Sequence, residues 1–365
     1  MFIVYSFIVK LPTSSSLSLN WNLGSLLAII IGSQILSGVL LTFYYSNDAQ
    51  LSFDSVNYCI METFFGWLVR LIHFNGASFL FLVLFLHFFK GLFFTSYRLK
   101  RVWFVGILML IIIIAESFLG YVLVWAQISF WAAVVITGLL SVIPFYGFKL
   151  IFLVWGDFVV SGLTLKFFFV LHFIVPWFLG IFIVLHLLFL HDTGSTSKLY
   201  CHITTIKLGF FPYFWFKDLY NLVVFIFFIL FLFYYPFLLG DPEMFLAANY
   251  SVAPVHIVPE WYFLFAYAIL RSITNKVLGV SILLFALTIF FIFLFITNYY
   301  SLYSFSNKVF SVIFLSSRVF LSWLGQCLVE YPYIDLGLLF TFLYFGFILL
   351  IIVNYCVTYF LYSIN

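Results

Sequence analysis

The sequence predicts an all-α, polytopic membrane protein with eight transmembrane helices, and three observations lead there. Of its 365 residues, 66% are apolar and only 7% are charged. The mean hydropathy is +1.24. Apolar runs of about 20 residues, the length that crosses a hydrocarbon core, recur eight times. A soluble domain is usually about a quarter charged, so the bilayer is the main solvent for this chain.

Uninterrupted apolar stretches place the spans near 23–45, 65–90, 103–125, 166–190, 219–239, 277–298, 309–329 and 337–361. The longest polar connectors, near 191–218 and 240–276, leave no room for a separate soluble domain. The apolar opening runs from Met1 to Val9 into Lys10, Pro12 and three serines without a small-residue cleavage pattern, so no removable signal peptide is expected. If the chain crosses each time, Lys10, Lys90, Arg98, Lys100, Arg101, Lys198, Lys207, Lys217 and Lys308 share one side. By the positive-inside rule that side is the cytoplasm or mitochondrial matrix. Lys149, Arg271 and Lys276 fall on the other side. Both termini are then inside. Cys59, Cys201, Cys327 and Cys356 show neither CxxC nor CxxCH spacing, which argues against a thiolate metal site or covalently attached haem. Phe supplies 55 residues, a bias that a T-rich coding strand, as in many organellar genomes, would explain.

The chemistry concentrates in four of the seven histidines. His73 and His87 lie in the second span, His172 and His186 in the fourth, and each pair is separated by 14 residues. Fourteen residues on an α-helix rise about 21 Å and turn through nearly four whole turns, so both imidazoles of a pair face the same way at different depths. One intervening span makes the two helices parallel, which lets His73 meet His172 and His87 meet His186. Two neutral imidazoles facing each other inside a bundle are the axial ligation of a low-spin b-type haem. The expected cargo is therefore two non-covalent haems, one near each surface. A lone intramembrane histidine often just hydrogen-bonds a neighbouring helix, but that reading does not account for two matched pairs.

A second 14-residue repeat falls on the remaining helices of this four-helix bundle: Gly24 and Gly38 in the first span, Gly106 and Gly120 in the third. Glycine also permits close helix packing in general. Its match to the histidine spacing marks these four as haem contacts, positions where a flat macrocycle needs no side chain. Arg70 and Lys90 stand at the two ends of the second span, either as partners for haem propionates or as snorkelling interfacial residues.

These residues resemble one family, the cytochrome b of respiratory bc1 complexes. The likeness is carried by HFNGAS (73–78), GYVLVWAQISFWAAVVIT (120–137), HLLFLHDTGS (186–195) and PVHIVPEWYFLFAYAILRS (254–272), and it runs from about Trp21 to the last span. It implies a division into an N-terminal diheme bundle, 1–210, and a C-terminal four-helix region, 211–365. The outer haem iron would be held by His73 and His172, the inner one by His87 and His186. The resemblance further implies a ubiquinone-type substrate at two sites. The outer, quinol-oxidising site would involve Phe118, Tyr121, Ala132, the Pro259-Glu260-Trp261-Tyr262 turn and Tyr267. Glu260 is the expected proton acceptor, although the same position could simply cap the following helix. The inner, quinone-reducing site would involve Asn22, Ser25, His191, Ser195, Lys217 and Asp218. Without the resemblance, His191 and Lys217-Asp218 read as solvated groups at span ends.

The chain departs from the family pattern at Val124-Trp125-Ala126 (usually Pro-Trp-Gly), at Ala132 (usually glycine), at Lys90 (usually arginine) and at Thr274 (usually proline). Lys90 keeps the charge but loses the planar fork of donors. The resemblance implies an electron-transport role coupled to proton translocation, with an iron-sulfur protein and a c-type cytochrome as partners in a dimeric complex. The location implied is the mitochondrial inner membrane or, alternatively, a bacterial plasma membrane. Nothing points to nucleic acid. Two rival readings stay open at this level. Other diheme oxidoreductases, such as ascorbate-type reductases or dehydrogenase anchors, have fewer spans and lack the PEWY turn. A transporter relaying protons through intramembrane histidines would carry no haem.

Overall fold

The computed structural model describes residues 9, 11–196, 207–296 and 305–364; Lys10, Lys198 and Cys201 lie outside the described residues. Among the described residues the chain forms twelve helices and one short two-stranded ribbon. In lipid every backbone N–H and C=O has to be satisfied within the segment, which leaves the helix as the economical spanning element. Eight helices are long and apolar enough to cross a membrane. They are Leu23–Thr42, Gly66–Phe93, Lys100–Val122, Gly162–Thr193, Tyr213–Tyr234, Lys276–Phe295, Phe305–Gln326 and Tyr333–Ile364, the sixth tightening to a 3-10 helix over Ile289–Phe295. The all-α, eight-span architecture expected from the sequence is the one observed.

The fifth span is the element whose bounds differ most. It begins at Tyr213 and ends at Tyr234, several residues earlier than the hydropathy placed it. The reason is that Lys217 and Asp218 belong to the helix rather than to a connector. Lys217 Nζ donates to the Leu17 carbonyl at 2.6 Å, and Asp218 accepts from Asn22 and Ser25. A polar second turn whose groups are engaged in this way carries no penalty near a span end.

The first four long helices associate as two pairs, the first span on the second and the third on the fourth. The pairs face each other across a slot. The fourth span starts cleanly because the Ser161 hydroxyl accepts from Leu163 N while Thr164 Oγ1 accepts from Ser161 N, a reciprocal cap. Pro176 sits inside this helix and removes the bond that would run to the His172 carbonyl.

The fifth span lies against the first and second, and the sixth, seventh and eighth close on the outside of the third. The largest apolar cluster joins Trp103 and Ile107 of the third span to Phe290 and Phe293 of the sixth, Leu321 of the seventh and Ile348 of the eighth. The short helix Leu264–Arg271 is wedged into this cluster, and Arg271 donates to the Leu324 and Cys327 carbonyls at the end of the seventh span. Gly325 lets the seventh span touch this short helix, because a Cβ there would stand 2.5 Å from the Leu264 carbonyl oxygen.

The two ends of the molecule differ in charge. Lys90 lies over Trp21, Arg101 over Phe189 and Lys308 over Phe93, so the basic residues of three different spans gather at one end. The ribbon Pro12–Ser14 with Lys207–Gly209 brings the N-terminal segment alongside the segment that leads into the fifth span.

Gly325→Ala is expected to destabilise the fold by about 1–3 kcal/mol, because backbone rather than a flexible side chain blocks the added methyl. The measurement is the thermal denaturation midpoint of the purified protein, which should fall.

Candidate functional site

Each of the four glycines singled out in the sequence faces one histidine, and the facing partners sort into two levels. A Cβ at Gly38 would lie 3.0 Å from His73 Cε1, and one at Gly120 would lie 2.4 Å from His172 Cε1. At the other level a Cβ at Gly24 would lie 3.6 Å from His87 Cε1, and one at Gly106 would lie 3.3 Å from His186 Cε1. The role of these glycines is therefore to seat the imidazole edges, in addition to any room they leave for a macrocycle.

At the first level the rings of His73 and His172 face each other across the slot, with centroids 6.2 Å apart and planes at 85°. That separation leaves space for one metal ion with a bond of about 2 Å to a ring nitrogen on each side. The other nitrogens are occupied. His73 Nδ1 lies 3.0 Å from Ser37 Oγ, and His172 Nδ1 donates to the Glu116 carbonyl at 3.0 Å. Partners on Nδ1 fix ring orientation and leave Nε2 as the nitrogen that would ligate a metal. At the second level the Nδ1 atoms of His87 and His186 are buried with no hydrogen-bond partner among the described residues. Facing imidazoles and glycine seats fit a b-type haem at the first level, and the second level repeats the glycine seats.

A cavity of about 240 Å³ opens at the His73–His172 level. Arg70, Glu116, Tyr121, Glu260 and Tyr262 line it together with both histidines. Glu260 reaches it because its turn is pinned. Trp261 Nε1 donates to Ser78 Oγ at 3.1 Å, and Tyr262 stacks on Phe81 with centroids 4.1 Å apart. The capping alternative for Glu260 is not realised, since the next helix begins at Leu264 with no side-chain cap. Burial, and after it the Asp241 carboxylate, push the Glu260 carboxyl up to about 7. Burial first, then Glu260 and Tyr121, holds the Tyr262 phenol well above its ordinary range.

Three residues expected at this site stand apart from the cavity. Phe118 packs on Phe168, Ala132 is buried within the helix Gln127–Gly138, and Tyr267 donates to the Ile257 carbonyl at 3.4 Å with Arg271 over its ring. Conversely, the sequence reading missed Gln127 and Glu116. Gln127 accepts from Asn249 N at 2.7 Å and donates to the Val252 carbonyl at 2.6 Å, fastening the segment before the PEWY turn. Its polarity inside an apolar stretch was the available signal.

At the opposite end Asn22, Ser25 and Asp218 come together. Asp218 accepts from Asn22 Nδ2 at 3.0 Å and Ser25 Oγ at 2.6 Å, and Asn221, also missed, donates to Ser25 at 2.7 Å. His191 lies in the last turn of the fourth span, and Ser195 is exposed just beyond it. Lys217 turns to the Leu17 carbonyl. Lys90 sits over Trp21 at this end, whereas Arg70 lines the cavity at the other.

Comparison with known proteins agrees with this geometry. The family model described as Cytochrome b/b6/petB matches residues 8–194, and that described as Cytochrome b(C-terminal)/b6/petD matches residues 247–345. The chain is 53% identical over 343 residues to a cytochrome b of Caenorhabditis elegans, with 94% of this chain and 93% of that protein covered. It is 42% identical over 340 residues to a cytochrome b of Apis mellifera ligustica, covering 92% and 89%. A chain of a solved hyperthermophilic respiratory complex III superposes with a TM-score of 0.85 at 29% identity, over 95% of this chain and 93% of that one. The chain belongs to the cytochrome b family.

The four glycine clearances predict a graded response. Gly120→Ala has no room and should displace His172, whereas Gly24→Ala meets His87 at ordinary contact distance and should be tolerated. Haem content per chain, read from the pyridine haemochrome spectrum, checks this: loss is expected for Gly120→Ala and near-normal content for Gly24→Ala.

Proposed function

We propose that the chain, as the cytochrome b subunit of a quinol:cytochrome c oxidoreductase, oxidises quinol in the cavity beside His73 and His172 and reduces quinone at the opposite end of the first four spans. The observation that carries this reading is the two-level arrangement of four histidines, each seated on its own glycine, with an acid-lined cavity at one level. Bound at the two levels, b-type haems supply single-electron transfer across the membrane. Residues 1–210 hold that path through His73 and His172 outside and His87 and His186 inside. Residues 211–365 complete the outer site with the PEWY turn.

Quinol gives up two electrons and two protons. One electron passes to an iron-sulfur protein and onward to a c-type cytochrome, the other inward along the histidine-lined path. Glu260 accepts a proton, and a carboxyl near pKa 7 is matched to that task at neutral pH. Tyr121 lines the same cavity, while Tyr267 is a positioning group behind the turn. Arg70 would supply positive charge for the propionates of an outer haem, and Lys90, over Trp21, would do so at the inner end. At the inner site Asp218, held by Asn22, Ser25 and Asn221, and His191 would hydrogen-bond the quinone oxygens and deliver protons, with Ser195 and Lys217 at the rim. The complex works as a homodimer in the mitochondrial inner membrane, a location favoured by the animal relatives. Protons then leave on the outer side and enter on the inner.

Replacing His87 or His186 should remove the inner haem first, and replacing His73 or His172 the outer one. Redox titration of the membranes resolves the two b-haem waves; loss of the same wave from His73 and His186 variants would overturn the pairing.

Because the Glu260 carboxyl lies near 7, it is protonated and unable to accept a proton below that pH. Quinol oxidation should therefore rise with pH between about 6 and 8. Glu260→Gln should lower the rate by roughly 10²-fold or more and flatten this rise, while quinone reduction at the inner site, driven from the haem side, keeps its rate. Steady-state and single-turnover rates across that pH range check both halves.

A further inference from the structure

We propose that Glu116 is a positioning residue for His172, whose carboxylate strengthens the electron donation of that imidazole and lowers the reduction potential of the haem at the outer level relative to the inner one. The inference rests on the reading of His73 and His172 as axial ligands.

Glu116 stands one helical turn before Gly120 in the third span, so the glycine and the glutamate address the same ring from the same face. Gly120 makes room for the His172 edge. Glu116 meets the nitrogen on the far side of that ring. Its backbone carbonyl accepts from Nδ1 at 3.0 Å, and its carboxylate Oε1 lies beside that N–H at 2.6 Å. The Glu116 side chain is only 13% exposed. Neither carboxylate oxygen has a hydrogen-bond partner of regular geometry among the described residues, so the imidazole at 2.6 Å is its close polar neighbour.

The other three imidazoles are treated differently. His73 Nδ1 meets the neutral Ser37 hydroxyl, His87 Nδ1 has no hydrogen-bond partner among the described residues, and the His186 ring meets the neutral Val102 backbone. A carboxylate beside the outer nitrogen of a metal-bound histidine raises ligand basicity. Negative charge in a low-dielectric wall also favours the more positive, oxidised iron. Arg70, in the wall of the same cavity, acts in the opposite sense but lies on the His73 side, three residues before it on the same helix. The asymmetry works in the direction the electron must move, from the outer level inward.

The test is a spectroelectrochemical titration of the b haems in the intact purified complex, comparing wild type, Glu116→Gln and Glu116→Asp. The outer wave is identified by its absence in a His73 variant. In Glu116→Gln the outer wave should rise by about the equivalent of a tenfold change in its reduction equilibrium, about 59 mV for one electron. The inner wave should stay in place, and Glu116→Asp should fall between wild type and Gln. An outer wave that does not move, or two waves that move equally, would overturn the proposal. If Gln loses the outer haem while Asp keeps it, the seat requires the carboxylate and the proposal stands; equal loss in both variants assigns Glu116 to packing alone and sinks it. Failure of wild type to show two b-haem waves would instead refute the ligand reading on which the inference rests.

Discussion

The first four spans depend on one steric relation: an imidazole can face inward at helix-packing distance only where the opposite helix has no side chain. Two helices each carrying two histidines 14 residues apart create that demand twice at two depths, and glycines with the same spacing on the neighbouring helices meet it twice. Helix periodicity then does the rest. The pairing of the first span with the second and the third with the fourth follows, because each histidine helix lies against the glycine helix that seats it. The slot between the pairs is the space left over once those contacts are made.

Polar groups in such a chain are confined to places where something answers them. At one end Asp218 is surrounded by amide and hydroxyl donors from the first and fifth spans, and basic side chains spread over aromatic faces. At the other, carboxyl groups line the cavity wall, and Glu260 holds its proton until about neutral pH. The molecule thus has a basic end and an acid-handling end, a polarity suited to moving protons in one direction across a membrane.

Much of this was legible in the sequence, for physical reasons. The spans were visible because lipid tolerates few charges, and the histidine and glycine ladders because a helix converts spacing into facing. What was not legible depends on contacts between residues far apart in the chain. Gln127 and Asn249 are separated by 122 positions, and Asn22 and Asp218 by 196, so no local pattern announces them. The fifth span was placed late because Lys217 and Asp218 look like connector residues until their partners are seen. Phe118, Ala132 and Tyr267 came from the family likeness rather than from local chemistry, and they stand behind the cavity wall instead of in it. Glu116 escaped notice because a single acid within an apolar run has no periodicity to flag it.

The fourth span supplies half of the histidines, yet in its most apolar stretch only 6% of the residues are buried inside the chain, and Pro176 removes a backbone bond one turn after His172. Such a helix is attached mainly along the one face that meets the third span. Its docking and the occupation of the slot are therefore thermodynamically linked, each favouring the other by the same amount. In assembly, a chain without its prosthetic groups would therefore hold its fourth span less firmly than a filled one.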